Sequence, residues 1–141
     1  MRRSWMIGLI TVILAAGIMA TVASAGSPHF IKSATSVTRN ADDSLTILAK
    51  EAGLGGESIN VTITGTVACI NPGGHGPKAT NKHTFATSGT FTVHNGSADI
   101  SLTTDAPVFQ PDCTPPMTIE YSNLTLTDTT NNISLSFPGT F

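Results

Sequence analysis

Residues 59–69 have the sequence INVTITGTVAC, in which apolar and polar side chains alternate. One side of this stretch carries the side chains of Ile59, Val61, Ile63, Val67 and Cys69. Alternation with a period of two is typical of a β-strand that buries one face. Gly65 falls on the apolar side of the stretch, and we expect it to mark a bulge or a close approach of two backbones.

Similar short runs occur on both sides of this stretch, separated by Gly, Pro, Asn and Asp. They lie near residues 30–38, 45–49, 85–93, 97–102, 117–126 and 133–137. The twenty Thr and eleven Ser residues after position 25 also favour strands, because β-branched Thr packs well on a pleated surface. The sequence therefore predicts an all-β fold, an antiparallel immunoglobulin-like β-sandwich of about seven strands with one disulfide.

The dipeptide Asn95-Gly96 predicts a hairpin, since both central residues of a type I′ turn need a positive φ. A two-residue turn here pairs Phe91 with Ile100 and Gly89 with Leu102. Each pair joins two apolar-side positions, so the turn and the hydrophobic pattern agree on this register.

A second hairpin is predicted near the C-terminus, with a turn at residues 128–131. Centring the turn there pairs Leu126 with Ile133 and Leu124 with Leu135. Between Tyr121 and Leu124 the alternation slips by one residue, which is what a β-bulge produces.

Residues 1–25 have the pattern of a secretion signal. Arg2 and Arg3 precede an apolar run at residues 7–20, and small residues at Ala23 and Ala25 suit a cleavage site before Gly26. A membrane anchor is the alternative interpretation, but the run is shorter than the roughly 20 residues that a spanning helix needs. We therefore expect a cleaved signal peptide at 1–25 and a single secreted domain at 26–141, with no membrane span after cleavage.

The charge balance and the cysteine count limit the possible functions. After residue 25 the chain has five basic and nine acidic residues, which argues against nucleic-acid binding because no basic stripe exists. Cys69 and Cys113 are the two cysteines, and in an oxidising compartment a disulfide between them is the default expectation. Two free thiols or a metal-binding pair are the alternatives.

Catalytic and metal-binding patterns are sparse. The chain has no nucleophile elbow, no His-Glu-x-x-His motif and no phosphate-binding loop, so no catalytic residue and no cofactor is predicted. His75 and His83 flank one loop and could meet a carboxylate such as Asp112, or Asp105, to bind Zn²⁺ or Cu²⁺. The simpler interpretation is that both are surface histidines, since a separation of eight positions fixes no ligand geometry.

Four segments of the chain carry a likeness to other proteins: CINPGG at 69–74, PKATNK at 77–82, the stretch from Gly89 to Gly96, and LTDTTN at 126–131. Through them the chain resembles a group of small exported bacterial proteins that share a Cys-x-Asn-x-Gly-Gly loop, a second Cys before a Pro and a Thr-rich ending. The resemblance implies export and a β-rich fold with a disulfide. Here Thr114 separates the second Cys from the Pro, and no activity or catalytic residue carries over.

The functional expectation is a secreted or cell-surface binding or structural module that is not an enzyme. Loops 71–82 and 108–116 are the predicted binding surface, because a Cys69–Cys113 bond would tie them together at one end of the sandwich. The candidate binding residues in the first loop are Asn71, His75, Lys78, Asn81 and Lys82. The expected partner is an extracellular protein or a cell-envelope ligand, with protease inhibition as one form of such binding. The rival hypothesis is a small secreted metal-binding protein or hydrolase that uses the loop histidines.

Overall fold

The computed structural model describes residues 26–73 and 81–141, so the signal peptide expected at 1–25 lies outside the described residues. The described chain forms eight β-strands and one short 3₁₀ turn. The strands are β1 His29–Phe30, β2 Ser36–Arg39, β3 Leu45–Ala52, β4 Ser58–Ile70, β5 Lys82–Thr92, β6 Ser97–Thr103, β7 Thr118–Asp128 and β8 Ile133–Thr140, and the 3₁₀ turn is Lys32–Ala34. Within this part of the chain, no helix has the length and hydropathy needed to cross a membrane.

The strands form two antiparallel sheets. In the first sheet β3 is central, with β6 on one edge and both β1 and β2 along the other edge. The second sheet has the order β5-β4-β7-β8. The all-β prediction is confirmed, and the count of strands rises to eight because the first expected run is divided by the 3₁₀ turn.

The core lies between the two sheets and follows the alternation of the sequence. All five apolar side chains on one side of the 59–69 stretch are buried, as predicted. They meet the inward side chains of the opposite sheet, namely Leu45, Ile47, Ala49, Ile100 and Leu102. The outer face of the second sheet carries hydroxyl pairs instead, such as Thr62 with Ser88 at 2.7 Å and Thr127 with Ser134 at 3.0 Å.

The bulge expected near Gly65 is present. Thr64 is opposite Thr125 and Thr66 is opposite Ser122, so β7 has one more residue than β4 across this interval. Asn123 takes up the extra residue with a φ of 53°. A Cβ atom on Gly65 would lie 2.5 Å from Leu124 Cδ2 and less than 3 Å from the Phe85 ring. The packing at this β-bulge therefore leaves no room for a side chain at position 65.

Replacing Gly65 with Ala should lower the free energy of unfolding by about 2 kcal/mol, because the added methyl group overpacks a filled core. Urea denaturation followed by circular dichroism measures this change. Thr64→Ala is the matched control, since Thr64 is the exposed neighbour on the same strand and its hydroxyl donates one long hydrogen bond, of 3.4 Å, to the Thr125 carbonyl. This substitution should lower stability by less than about 1 kcal/mol. Equal stabilities for Gly65→Ala and Thr64→Ala would contradict the close packing at Gly65.

The hairpin predicted at Asn95-Gly96 is wrong beyond its turn. Both turn residues have a positive φ, 50° and 75°, and His94 pairs with Ser97 as expected. Beyond this bridge the two strands join different sheets, because β5 pairs with β4 and β6 pairs with β3. The turn is therefore a corner at which the chain passes from one sheet to the other.

The register predicted for the second hairpin is wrong by two residues. Asp128 pairs with Ile133, Leu126 with Leu135, and Leu124 with Phe137, so the loop is 129–132. Asp128 remains in the ladder because its carboxylate accepts hydrogen bonds from the Thr130 and Asn131 backbone amides at 2.7 and 3.2 Å. A shift of two residues keeps every side chain on the same face, so the hydrophobic pattern fits both registers.

Candidate functional site

The disulfide fixes a long connection between the two sheets. Cys69 lies near the end of β4, and Cys113 lies in the connection 104–117 between β6 and β7. Their sulfur atoms are bonded at 2.01 Å, with the Cα atoms 5.7 Å apart, so the predicted disulfide is confirmed. We call the connection 104–117, together with residues 69–71, the disulfide end of the sandwich.

The loop between β2 and β3, residues 40–44, is held against β7 at the same end. The Tyr121 hydroxyl donates a 2.8 Å hydrogen bond to the Asp43 carbonyl, and burial raises the pKa of this phenol. Arg39 donates to the Asp43 carboxylate at 2.6 Å and to the Ile119 carbonyl at 2.7 Å. These contacts join the first sheet to the second, which gives the disulfide end a fixed base.

Two grooves border the connection 104–117. The first, which we call the side groove, has a volume of about 180 Å³. One wall is formed by His83, Phe85 and Thr87 of β5, and the other by residues 105–108. Val67 and Tyr121 of the core lie at its base, so the groove is an open seam that leads to the core between the sheets.

The second groove, which we call the front groove, has a volume of about 270 Å³. It is bordered by Asp43 on one side and by Pro107, Asp112 and Cys113 on the other. Val108 lines both grooves and is 74% exposed, which makes it the most exposed large apolar side chain of the described residues. Val108 therefore offers an apolar contact on a segment that the disulfide anchors.

The residues of the predicted binding loop are only partly described. Asn71 lies exposed after the end of β4, Asn81 directly precedes β5, and Lys82 is the exposed first residue of that strand. His75 and Lys78 lie outside the described residues. Of the described members, Asn71 belongs to the disulfide end and Asn81 and Lys82 lie at the start of β5, and the binding role of all five residues stays a prediction.

The candidate metal ligands do not form a group among the described residues. His83 lies in the side groove, its ring centre 5.2 Å from that of Phe109, and Asp112 borders the front groove. In residues 26–73 and 81–141, no three His, Cys, Asp or Glu side chains are placed to hold a metal ion. His75 belongs to the undescribed segment, so the three-residue metal site stays a prediction.

A buried pair of carboxyl groups lies at the end of the sandwich opposite the disulfide. Glu51 of β3 and Asp128 of β7 are both fully buried. Asp128 accepts hydrogen bonds from the loop 129–132, whereas neither Glu51 oxygen accepts one from the described residues. Burial and then the nearby Asp128 charge raise the pKa of Glu51 to about 8. A protonated Glu51 can donate to Asp128, and this supplies the hydrogen bond that two ionised carboxylates cannot form.

Two features bear on function: the pair of grooves that share Val108, and the buried acid pair. The carboxyl pair has no opening of its own, whereas the grooves open at a disulfide-anchored segment. Compared with protein-family models, with curated proteins and with solved structures, the chain matches none, so the function has to be argued from this geometry.

Proposed function

We propose that the chain is a secreted, non-enzymatic binding module that presents its disulfide end to an extracellular protein or a cell-envelope ligand. The observation that carries the proposal is the position of Val108, which is 74% exposed and lines both grooves on a segment anchored by Cys113. A partner that covers this side chain removes its apolar surface from water, which favours binding. The leader pattern and the disulfide support export.

The proposal includes an immunoglobulin-like arrangement of the strands. With β1 and β2 together as strand A, the first sheet has the order A-B-E, and the second contains C-F-G with β5 added beside C. Strand β5, which corresponds to strand D, thus belongs to the second sheet instead of the first. The disulfide also differs from that of antibody domains, since it joins strand C to the E–F connection instead of joining B to F. This arrangement presents its inter-strand connections at the two ends, where binding surfaces of such sandwiches lie.

Site-specific photo-cross-linking tests the proposal. A photo-reactive amino acid in place of Val108 should form adducts with material from the culture supernatant or the cell surface of the producing organism. The same amino acid in place of Glu57 is the matched control, because Glu57 is also exposed but precedes β4 at the opposite end. Adducts at 108 but not at 57 support the proposal. The same adducts from both positions, or none at 108, would reject it.

A further inference from the structure

Strand β5 has the longest open edge among the edge strands of the described residues. It pairs with β4 over all eleven of its residues, and no other strand of the described chain pairs with it. In an antiparallel ladder every second residue then directs its N–H and C=O groups away from the neighbour. Edge strands are usually protected by Pro, by charges or by shortness. Strand β8 contains Pro138, and β2 has four residues. Strand β6 has seven residues with Asp99 inside it, whereas β5 has eleven residues and Lys82, at its first position, as its only Lys, Arg, Asp or Glu.

The side groove lies along this open edge. Because β5 and β6 part after the His94–Ser97 bridge, the seam between the sheets is not closed by a strand at the level of His83 to Thr87. At Gly89 the Leu102 side chain still fills the seam, since a Cβ there would lie 3.0 Å from Leu102 Cδ2. Beyond Gly89, towards the disulfide end, the seam becomes the groove of about 180 Å³.

The charges at this groove favour a basic ligand. Asp105 and His83 border the groove, and none of the described Lys or Arg side chains lines it. Among the described residues the ion pairs are Arg39–Asp43 and Lys50–Asp99, so Asp105 forms no ion pair within this part of the chain. A cation next to Asp105 would gain a charge-assisted contact at the rim of an apolar groove.

We infer that the side groove binds an extended peptide of a partner protein, which adds a strand to the free edge of β5. This inference rests on the proposed function of the disulfide end as a binding surface. Main-chain hydrogen bonds to β5 would supply affinity, and side chains at alternate positions would enter the groove beside Val67 and Phe85. The peptide therefore has apolar residues at every second position and a Lys or Arg that reaches Asp105.

A second copy of the chain fits this groove less well than a free peptide. On the inward side of β5, Phe85 packs edge-on against Tyr121 with ring centres 5.5 Å apart, and Phe91 packs against the core. In a second copy of the chain these side chains would pack in that copy's own core. Its β5 could therefore form backbone hydrogen bonds with the first β5 but could not place side chains in the groove. A free extended peptide can do both.

Selection from a phage-displayed library of random heptapeptides tests the inference. We expect selected peptides to alternate Val, Ile or Leu with other residues and to contain Lys or Arg. Ala106→Trp should weaken their binding at least tenfold, because Ala106 is an exposed residue of the groove wall and the indole would occupy the groove. Ser101→Trp, on the exposed face of β6, is the matched control and should bind as the unaltered chain does.

Two further arms separate the possible outcomes. A synthetic copy of a selected peptide with alternate backbone nitrogens methylated should lose binding, since it cannot form the strand ladder. The substitution Asp105→Lys should weaken the binding of a basic peptide at least tenfold.

Equal binding by the methylated peptide, equal binding by Ala106→Trp, or a dimer through β5 seen by light scattering would overturn the inference. If Val108 gives cross-linked adducts while no peptide is selected, the groove inference fails and the proposed function stands. If Val108 gives none, the proposed function itself fails.

Discussion

Replacing Glu51 with Gln should stabilise the protein at pH 8 by several kcal/mol and leave its stability nearly independent of pH between about 5 and 8. The cause is the burial of Glu51 beside Asp128, which raises the pKa of Glu51 from 4.5 to about 8. Gln carries no charge at any of these pH values, and its amide can donate the hydrogen bond to Asp128 that protonated Glu51 donates. The largest difference between the two proteins is therefore expected at alkaline pH.

The direction follows from proton binding in the two states. Between pH 4.5 and 8 the folded protein keeps a proton on Glu51 that the unfolded chain releases. The free energy of unfolding must then fall as the pH rises through this window, by up to roughly 1.4 kcal/mol per pH unit. The stability contributed by protonated Glu51 is fully present below about pH 4.5 and is lost as the pH passes about 8.

Urea denaturation at pH 5, 6, 7 and 8 measures the effect. Glu57→Gln is the matched control, because it makes the same chemical change at an exposed position and should keep the pH dependence of the unaltered protein. Asp128→Asn removes the charge that adds to the effect of burial, so the pKa of Glu51 should be raised less. The loss of stability should still begin near pH 4.5, but it should end at a lower pH and be smaller in total. If Glu51→Gln and Glu57→Gln have parallel pH profiles, Glu51 is not held protonated in the fold.

The sequence contains a signal for this acid pair. On β3 the alternation of Leu45, Ile47 and Ala49 continues to Glu51. On β7, Leu124 and Leu126 continue in the same way to Asp128. Extending each pattern by two residues places both carboxyl groups in the core. That the two carboxyl groups lie next to each other could not be predicted, because β3 and β7 belong to different sheets. Alternation within one strand carries no information about which strand packs against it.

The same physical limit explains the incorrect hairpin. Gly89 and Leu102 were expected to be neighbours in one sheet, and they do lie close together, but across the core. Two strands that face each other across a sandwich bury the same alternate side chains as two strands that pair edge to edge. The hydrophobic pattern therefore identified the buried faces correctly and could not identify the partners. For the same reason the side groove could not be predicted from the sequence, because it forms only where β5 and β6 separate into different sheets.

Removing the Cys69–Cys113 disulfide should lower the free energy of unfolding by about 4 kcal/mol. The bond closes a loop of 44 residues in the unfolded chain, and the loss of that constraint increases the entropy of the unfolded state. Cys69 is buried, and its sulfur lies 3.7 Å from the Met117 sulfur, so the reduced thiol keeps most of its packing. Denaturation with and without dithiothreitol measures the difference directly. The double variant Cys69→Ala/Cys113→Ala is the control, since dithiothreitol should not change its stability.

The loss should be uneven across the molecule. Strand β4 is held on both sides by long ladders to β5 and β7, so its amide hydrogens should stay protected after reduction. After Thr104, which is hydrogen-bonded to Leu45 of β3, the connection pairs with no described strand, and Cys113 is its covalent attachment to β4. The Met117 amide of this connection donates to the Thr114 carbonyl at 3.0 Å, next to Cys113. Its hydrogen exchange should therefore accelerate at least tenfold in the reduced protein, while exchange in β4 changes only with global stability. Equal acceleration in both segments would mean that the disulfide stabilises the whole sandwich without specifically holding the grooves in place.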